Sequence, residues 1–519
     1  MSYLAIDFGT QSVRAIVFDR QGELLGQSQT FIEPYFSQRP GWAEQDPEYL
    51  WKALCECCQN LWAREPSLKE TLKAVSLTTQ RGTLIACDKN GRPLRPAISW
   101  LDQRLAESPP DPHFFWRQAF KLLGIKSTID MFRHNAEANW IKEAEPLIWR
   151  NTHKFLLLSG FLSYRMTGQF VDSIGCQVGY IPFDYKNHRW AHGMSWKWQA
   201  LWMPKTKLPR LVPQGDCLGR MTAHASQETG IPENLPLIAT GADKACEVLG
   251  SGCLGAQTAC LSFGTTATIN APSKSYVEAN RYIPPYPAAQ PNTYLSEIQI
   301  QRGYWLVSWF KKEFGASEVA KAKSLGVDPE ALFEDMIQGI PPGCDGLMVQ
   351  PYWSPGIRYP GPEAKGAMIG FHGDHTKAHV YKAILEGISF ALREGKETIE
   401  SRTKRLLTKV RVSGGGSKCD TALQITADIF NLPTEKPHTF ETSALGAAIS
   451  AAVGVGDFSS YREAVHSMTR VERTFLPDTE RALLYDDLYS RVYQKMYSSL
   501  KPLYRHLGME GGVDTRSSH

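Results

Sequence analysis

Two β-rich runs flank a Gly-Thr pair between Leu4 and Asp19, LAIDFGTQSVRAIVFD. Their pattern predicts a hairpin of two strands with Gly9 and Thr10 at its tip. The same pattern returns about half the chain later, where ACLSFGTTATI over 259–269 again reads strand, Phe-Gly-Thr, small polar residue, strand. Phe8-Gly9-Thr10-Gln11 is thus matched by Phe263-Gly264-Thr265-Thr266. A repeat at half the length predicts two domains of similar plan facing each other across a cleft, each opening with such a hairpin. The expected division is 1–252 and 253–505, with 506–519 as a flexible tail. The polar run from Gly508 to His519 carries that last expectation.

Between the hairpins the pattern changes period. A third strand is expected over Glu23 to Thr30. Asp46-Pro47 reads as an N-cap followed by a first-turn proline, and Leu50, Trp51, Leu54, Cys57, Cys58, Leu61 and Trp62 follow at helical spacing. Residues 73–87 read as strand, loop, strand, with Gln80-Arg81-Gly82 in the loop. Asp88-Lys89-Asn90-Gly91 is a hairpin turn, and a further strand ends at Ile98. Residues 105–235 read as mostly helical and irregular, and HKFLLLSGFLSYRMTG as one amphipathic helix stopped by Gly168. LPLIATGADKACEVLG predicts strand, tight turn and a helix starting near Asp243. In the second half a strand is expected over Gly343 to Gln350, then an irregular Pro/Gly loop to Gly366 and a helix from His379 to Glu400. KVRVSGGGSKCDTALQITADIFN reads as strand, Gly-rich loop, helix, and Ser443 to Val453 as a helix of small residues.

Composition narrows the class. The chain has 519 residues, 42% hydrophobic and 21% charged, with 57 basic and 53 acidic residues. These are the proportions of an ordinary globular protein of two or three domains. A net charge of +4 offers no broad basic face, which argues against a nucleic-acid partner. Leu445 to Gly456 is too short and too glycine-rich to span a bilayer. Met1 runs almost directly into the first strand, so no signal peptide is expected. The 11 cysteines lack paired spacing, and Cys55, Cys57 and Cys58 read as buried helix thiols. A reducing cytoplasm is the expected compartment.

The tip of the first hairpin collects more chemistry than a turn needs. Asp7, Thr10, Gln11, Ser12 and Arg14 converge there, and backbone N–H groups, hydroxyls and a guanidinium suit a polyphosphate, with the Asp suiting its Mg²⁺. Gly414-Gly415-Gly416-Ser417 follows a β run and opens a helix. It has neither the G-x-G-x-x-G nor the Walker A spacing, but its glycines let a flat ring approach the backbone. Asp243 stands at a strand-to-helix turn. It is read either as an N-cap or as a general base that orients a substrate hydroxyl for attack on a γ-phosphate.

Taken in order, DFGTQSVRAIVFD, GWAEQDPEYLW, TTQRGT, ISWLDQR, TGADKA, LSFGTT, GAMIGFHGDHTKAHVYKAILEGISFAL and VSGGGSKCDTALQITADI resemble the FGGY family of carbohydrate kinases over about residues 3–500. The resemblance implies an α/β fold of two actin-like ATPase (ribonuclease H-like) domains closing around ATP and a small sugar, ketose or polyol, with water excluded. It also implies the roles of individual residues. Asp7 would hold Mg²⁺, and Thr10, Gln11, Ser12 and Arg14 would surround the transferred phosphoryl group together with Gly264 and Thr265. Asp243 matches the catalytic base, Gly414 and Gly415 the adenosine site, and Gln80, Arg81, Trp100 and Asp102 the substrate pocket. Two departures stand out. Gly82 after Arg81 is similar to xylulokinases, whereas Arg81 itself is similar to glycerol kinases. Tyr304 replaces a small residue five positions before Trp309, where its ring would narrow the nucleotide pocket or stack on it. The partners implied are a small-molecule sugar or polyol, no nucleic acid and no membrane, leaving a homodimer open as the assembly. The competing classes are an actin- or chaperone-type ATPase switch without a small acceptor, which would not need Arg81, Trp100 and Asp102, and a degenerate kinase acting as a binding module.

Overall fold

A computed structural model describes residues 1–109, 111–280, 283–356 and 359–507, so the tail from Gly508 to His519 lies outside the described residues. The chain forms two compact units. They do not divide at a single point near residue 252. The first comprises Met1–Leu254, Pro272–Leu295 and Glu441–Arg470, and the second Gly255–Ala271, Ser296–Phe440 and Val471 onward.

The first unit is built on a six-stranded sheet in the order Cys217–Arg220, Pro236–Ile238, Leu72–Thr79, Ser2–Phe8, Ser12–Asp19, Leu24–Phe31. The last three strands form an antiparallel meander, and Leu72–Thr79 runs parallel to both Ser2–Phe8 and Pro236–Ile238. Ser2–Phe8 is buried along its whole length, as a central strand covered on both faces must be. The Pro47–Arg64 helix begins as its sequence requires, with the Asp46 carboxylate accepting from the Glu48 N–H and Pro47 in the first turn. Cys55, Cys57 and Cys58 lie buried on it, and the Cys57 thiol donates to the Val13 and Ser28 carbonyls.

Thr442–Gly454, far along the chain, packs on Asp243–Gly250 backbone to backbone. A Cβ at Gly250 would fall 1.9 Å from the Thr442 carbonyl oxygen, and one at Gly446 1.9 Å from that of Cys246. The run of Ala, Gly and Ser that looks featureless in sequence is what permits this approach.

The second unit repeats the plan. Its seven-stranded sheet runs Tyr286–Pro287, Tyr294–Ile300, Ala267–Ser273, Thr258–Phe263, Lys409–Ser413, Thr434–Pro437, Val471–Phe475. Thr258–Phe263 pairs antiparallel with Ala267–Ser273 and parallel with Lys409–Ser413, which is parallel in turn to Thr434–Pro437. Each unit therefore has an antiparallel hairpin, two parallel strands beside it and an antiparallel strand beyond them. The hairpin repeat foretells two domains of similar plan, and this plan is the ribonuclease H-like one that the family resemblance implies.

Two expected elements come out differently. Lys154–Leu157 is a strand, and the helix after it spans only Leu158–Thr167 before Gly168 ends it in the left-handed region. The strand pairs antiparallel with Leu84–Cys87, a tertiary partner that outweighs local helical spacing. The helix is not amphipathic, since eight of its ten residues are buried. Over Gly343 to Gln350 only Met348–Gln350 is strand, because Cys344 and Asp345 take positive φ (50° and 52°) in a short 3₁₀ turn.

Candidate active site

Asp7 and Arg14 sit directly opposite each other across the first hairpin. Four residues, 9–12, close it, with the Gly9 N–H donating to the Ser12 carbonyl at 3.0 Å. The Arg14 guanidinium stands 3.5 Å from Asp7 Oδ2 and 3.4 Å from Glu441 Oε2, and its buried Nε–H has no hydrogen-bond partner. An orphaned N–H beside a turn rich in donors fits an anion. Burial pushes the Asp7 carboxyl up to about 7. Arg14 opposes that shift, while Asp243, Glu441 and Glu247 add to it. A carboxylate so placed fits a divalent cation, which would restore its ionised form. Among the described residues no three His, Cys, Asp or Glu side chains form a chelate. A Mg²⁺ here would therefore draw most of its ligands from phosphates and water, its usual habit. The Ser12 hydroxyl accepts from Gln29 Nε2 at 3.0 Å, whereas Gln11 is exposed.

Behind the tip lies the loop that carries Gln80, Arg81 and Gly82. It runs from Thr79, in the main sheet, to Leu84, in a second sheet formed with Glu44–Gln45, Ala97–Ile98 and Lys154–Leu157. A chain changing sheets leaves the ladder, which frees its side chains to point elsewhere. Gln80 is 4% exposed and joins the neighbours together. Its Oε1 accepts from the Thr10 hydroxyl (2.8 Å) and the Trp100 indole (3.3 Å), and its Nε2 donates to Gln45 Oε1 (2.9 Å). Trp100 is 47% exposed.

Asp243 is the first residue of its helix, and Ala242 occupies the N-cap position, so the carboxylate is not a capping group. It accepts from the Lys244 N–H at 2.7 Å and lies 3.8 Å from Arg81 Nε, with 29% of its side chain facing solvent. The protein packed around it raises its pKa, against the pull of Arg81 and Lys244. The Arg81 guanidinium stacks over Tyr286, 5.2 Å from the ring centroid. Sequence reasoning missed Tyr286, Glu441 and Gln45, which reach this region from three separate stretches of chain and belong to no local motif.

Asp102 is a correction. Its carboxylate is 3% exposed and fully engaged, with Oδ2 accepting from the Ala43 N–H (2.6 Å) and Arg104 NH2 (2.7 Å) and Oδ1 from the Arg104 N–H (2.9 Å) and Nε (2.8 Å). It braces the chain at Ala43, just before the Glu44–Gln45 strand, and has no lone pair left for a ligand.

In the second unit the hairpin tip is the three residues Gly264, Thr265 and Thr266. The Gly264 and Thr265 carbonyls accept from the Tyr304 and Trp305 N–H groups at the start of the Trp305–Phe314 helix (3.2 and 3.3 Å). Because C=O and N–H of one trans peptide point in opposite directions, the Thr265 and Thr266 N–H groups face away from that helix. Nearby, Tyr304 is partly buried and stacks on Phe263 at 4.5 Å. A Cβ on Gly416 would meet that ring at 2.3 Å, and Gly414 holds φ +84° against the Phe263 backbone. A Cβ on Gly415 would meet nothing within 4 Å. Tyr304 therefore packs beneath the glycine loop as a support, and Gly415 fronts open space.

Comparison with known proteins fits this geometry. Residues 2–250 match the N-terminal domain, and 259–455 the C-terminal domain, of the FGGY family of carbohydrate kinases, to which the chain belongs. It is 29% identical to an uncharacterized sugar kinase, YgcE, of Escherichia coli (strain K12), over 99% of this chain and 98% of that protein. It is 28% identical to a xylulose kinase of Bacillus subtilis (strain 168), over 96% and 97% of the two. Its fold is like that of a ligand-bound xylulose kinase from Lactobacillus acidophilus, with TM-score 0.81 and 20% identity over 98% and 99% of the chains. The protein is a sugar kinase that uses ATP, which sets aside both an ATPase switch without an acceptor and a degenerate binding module. Among the described residues no helix is long and apolar enough to cross a membrane.

Proposed function

We propose that the chain phosphorylates a hydroxyl of a pentulose-type ketose or a related polyol, with Asp243 as the base. The observation that carries this reading is the pairing of Asp243, at 3.8 Å, with Arg81, next in the chain to Gln80, which accepts from the half-exposed Trp100. Arg81, fixed over Tyr286, and the Trp100 ring orient the sugar, while the Asp243 carboxylate accepts a hydrogen bond from the attacking hydroxyl and takes its proton as the phosphoryl group transfers. Arg14, with the backbone around Thr10, Gln11 and Ser12, binds the transferring phosphoryl group. In the second unit the tip at Gly264 and Thr265 binds phosphate through the outward-facing backbone N–H groups of Thr265 and Thr266, and Gly414 and Gly415 bind adenosine. Asp7 holds Mg²⁺, which would neutralise charge on the phosphates.

The cytoplasm is the compartment in this reading, supported by eleven cysteines without paired spacing in the sequence.

The test is an ADP-release screen over glycerol, tetritols, pentuloses, hexuloses and pentitols. Turnover with a ketose or polyol is expected. Asp243→Asn should lower kcat by about a thousandfold with ATP binding near normal. Full turnover by that variant would remove Asp243 from its role.

A further inference from the structure

The hydrogen positions around Thr10 are fixed by the chemistry of their neighbours. An indole N–H can only donate, and Trp100 Nε1 lies 3.3 Å from one amide atom of Gln80 and 3.2 Å from Thr10 Oγ1. The Gln80 atom facing the indole must therefore be the oxygen. The other end of the chain of bonds agrees. The Pro34 carbonyl can only accept, so the Gln45 atom 2.7 Å from it is the NH₂ group. Gln45 then turns its oxygen to Gln80, whose facing atom at 2.9 Å must be the nitrogen. With Gln80 oriented from both sides, Thr10 Oγ1, 2.8 Å from Gln80 Oε1, has to supply the proton between them.

The Thr10 hydroxyl thus spends its one hydrogen on Gln80 and one lone pair on the indole. A single lone pair remains. An ionised phosphate oxygen also offers only lone pairs, and the two would repel. Turning the hydroxyl to donate elsewhere would leave a buried amide oxygen with only the longer indole contact, a loss that burial makes costly. We propose that the Thr10 side chain is a hydrogen-bond acceptor for an O–H group of the bound species, and that Thr10 serves phosphate through its backbone alone. The donor is a hydroxyl of the sugar or polyol, or a water ordered on the divalent ion. The half-exposed Trp100, whose indole reaches the same oxygen, favours the sugar. Thr10 then reads the acceptor as a positioning residue, and Gln80 sets the polarity with which it does so. This rests on the kinase reading above.

The test compares wild type, Thr10→Val, Thr10→Ser and Gln80→Met. Binding of a non-hydrolysable ATP analogue, which keeps the γ-phosphate, is measured by calorimetry without sugar, and KM for the sugar found in the screen is measured at varied Mg²⁺. Thr10→Val should bind the analogue within about twofold of wild type, while KM for the sugar rises about tenfold, the worth of one hydrogen bond. Thr10→Ser should restore it. Gln80→Met, which frees the Thr10 proton, should raise the sugar KM likewise without weakening analogue binding. A rise in the Mg²⁺ requirement with sugar KM unchanged would identify metal-bound water as the donor and leave the acceptor role intact. A tenfold loss of analogue affinity in Thr10→Val, recovered in Thr10→Ser, would overturn the proposal, as would no change in either constant. If wild type bound the analogue but phosphorylated no sugar, the kinase reading would fail separately, because the binding measurement needs no turnover.

Discussion

The two hairpins share a frame and differ in what they carry. In the first, the residues opposite each other one step below the turn are Asp7 and Arg14; in the second, the corresponding pair is Ser262 and Thr268. The first tip has four residues and is tied by side chains, from Thr10 through Gln80 to Trp100. The second has three and is tied by backbone, its carbonyls held at a helix start. Charge that can bind a metal and oppose a phosphoryl group is thus confined to one copy, while the other offers N–H groups to an anion at no cost in buried charge. A duplicated motif need not have duplicated chemistry.

The largest expected effect tests that asymmetry directly. Asp7→Asn should reduce kcat by about a thousandfold, whereas Ser262→Ala, its counterpart, should leave kcat within about threefold; comparable losses in steady-state assays would erase the distinction. Next comes stability. The Asp7 carboxyl is pushed up to about 7 in the folded protein against 3.8 as its ordinary value. Between those pH values the fold holds a proton that the unfolded chain has released. The stabilisation is therefore complete below about pH 4 and disappears as pH rises through 7. Three pH units set an upper bound of about 4 kcal/mol. In melts without divalent ions, wild type should lose more stability than Asp7→Asn between pH 5 and pH 8, and equal losses would contradict the shift.

A smaller effect is expected at the glycine loop. Gly415→Val should raise the nucleotide KM about tenfold with the melting temperature unchanged, since its Cβ meets no protein atom. Gly416→Ala, driven into the Tyr304 ring, should instead cost about 1–3 kcal/mol of stability. The reverse pattern would mean that Gly415 is there for the fold. Smallest is Thr266→Ala, which removes the hydroxyl bond to the Gln301 carbonyl (3.1 Å) from the exposed second tip. Chemical denaturation should register about 0.5 kcal/mol.

What could be read in the sequence was local. Both hairpins declare themselves within some fifteen residues, and the Asp46-Pro47 helix start within two. Gly414 to Ser417 opens a βα turn as its glycines suggest. Lys154–Leu157 could not be read as strand because its partner, Leu84–Cys87, lies far away in sequence and the local run of leucines suits a helix equally well. Asp102 looked available because nothing in ISWLDQR tells that Arg104 folds back onto it. Tyr286 and Glu441 stand in stretches without any motif, and only the return of the chain to the first unit brings them to Arg81 and Arg14.

That return bears on biosynthesis. Asp243–Gly250 leaves the ribosome early, but the Thr442–Gly454 helix whose backbone it touches follows only after about 200 further residues. At ribosomal rates the interval is roughly 10–40 s. Through that time the nascent first unit exposes an apolar face shaped for a helix not yet made. A fragment ending near residue 252 would be held in the same unfinished state.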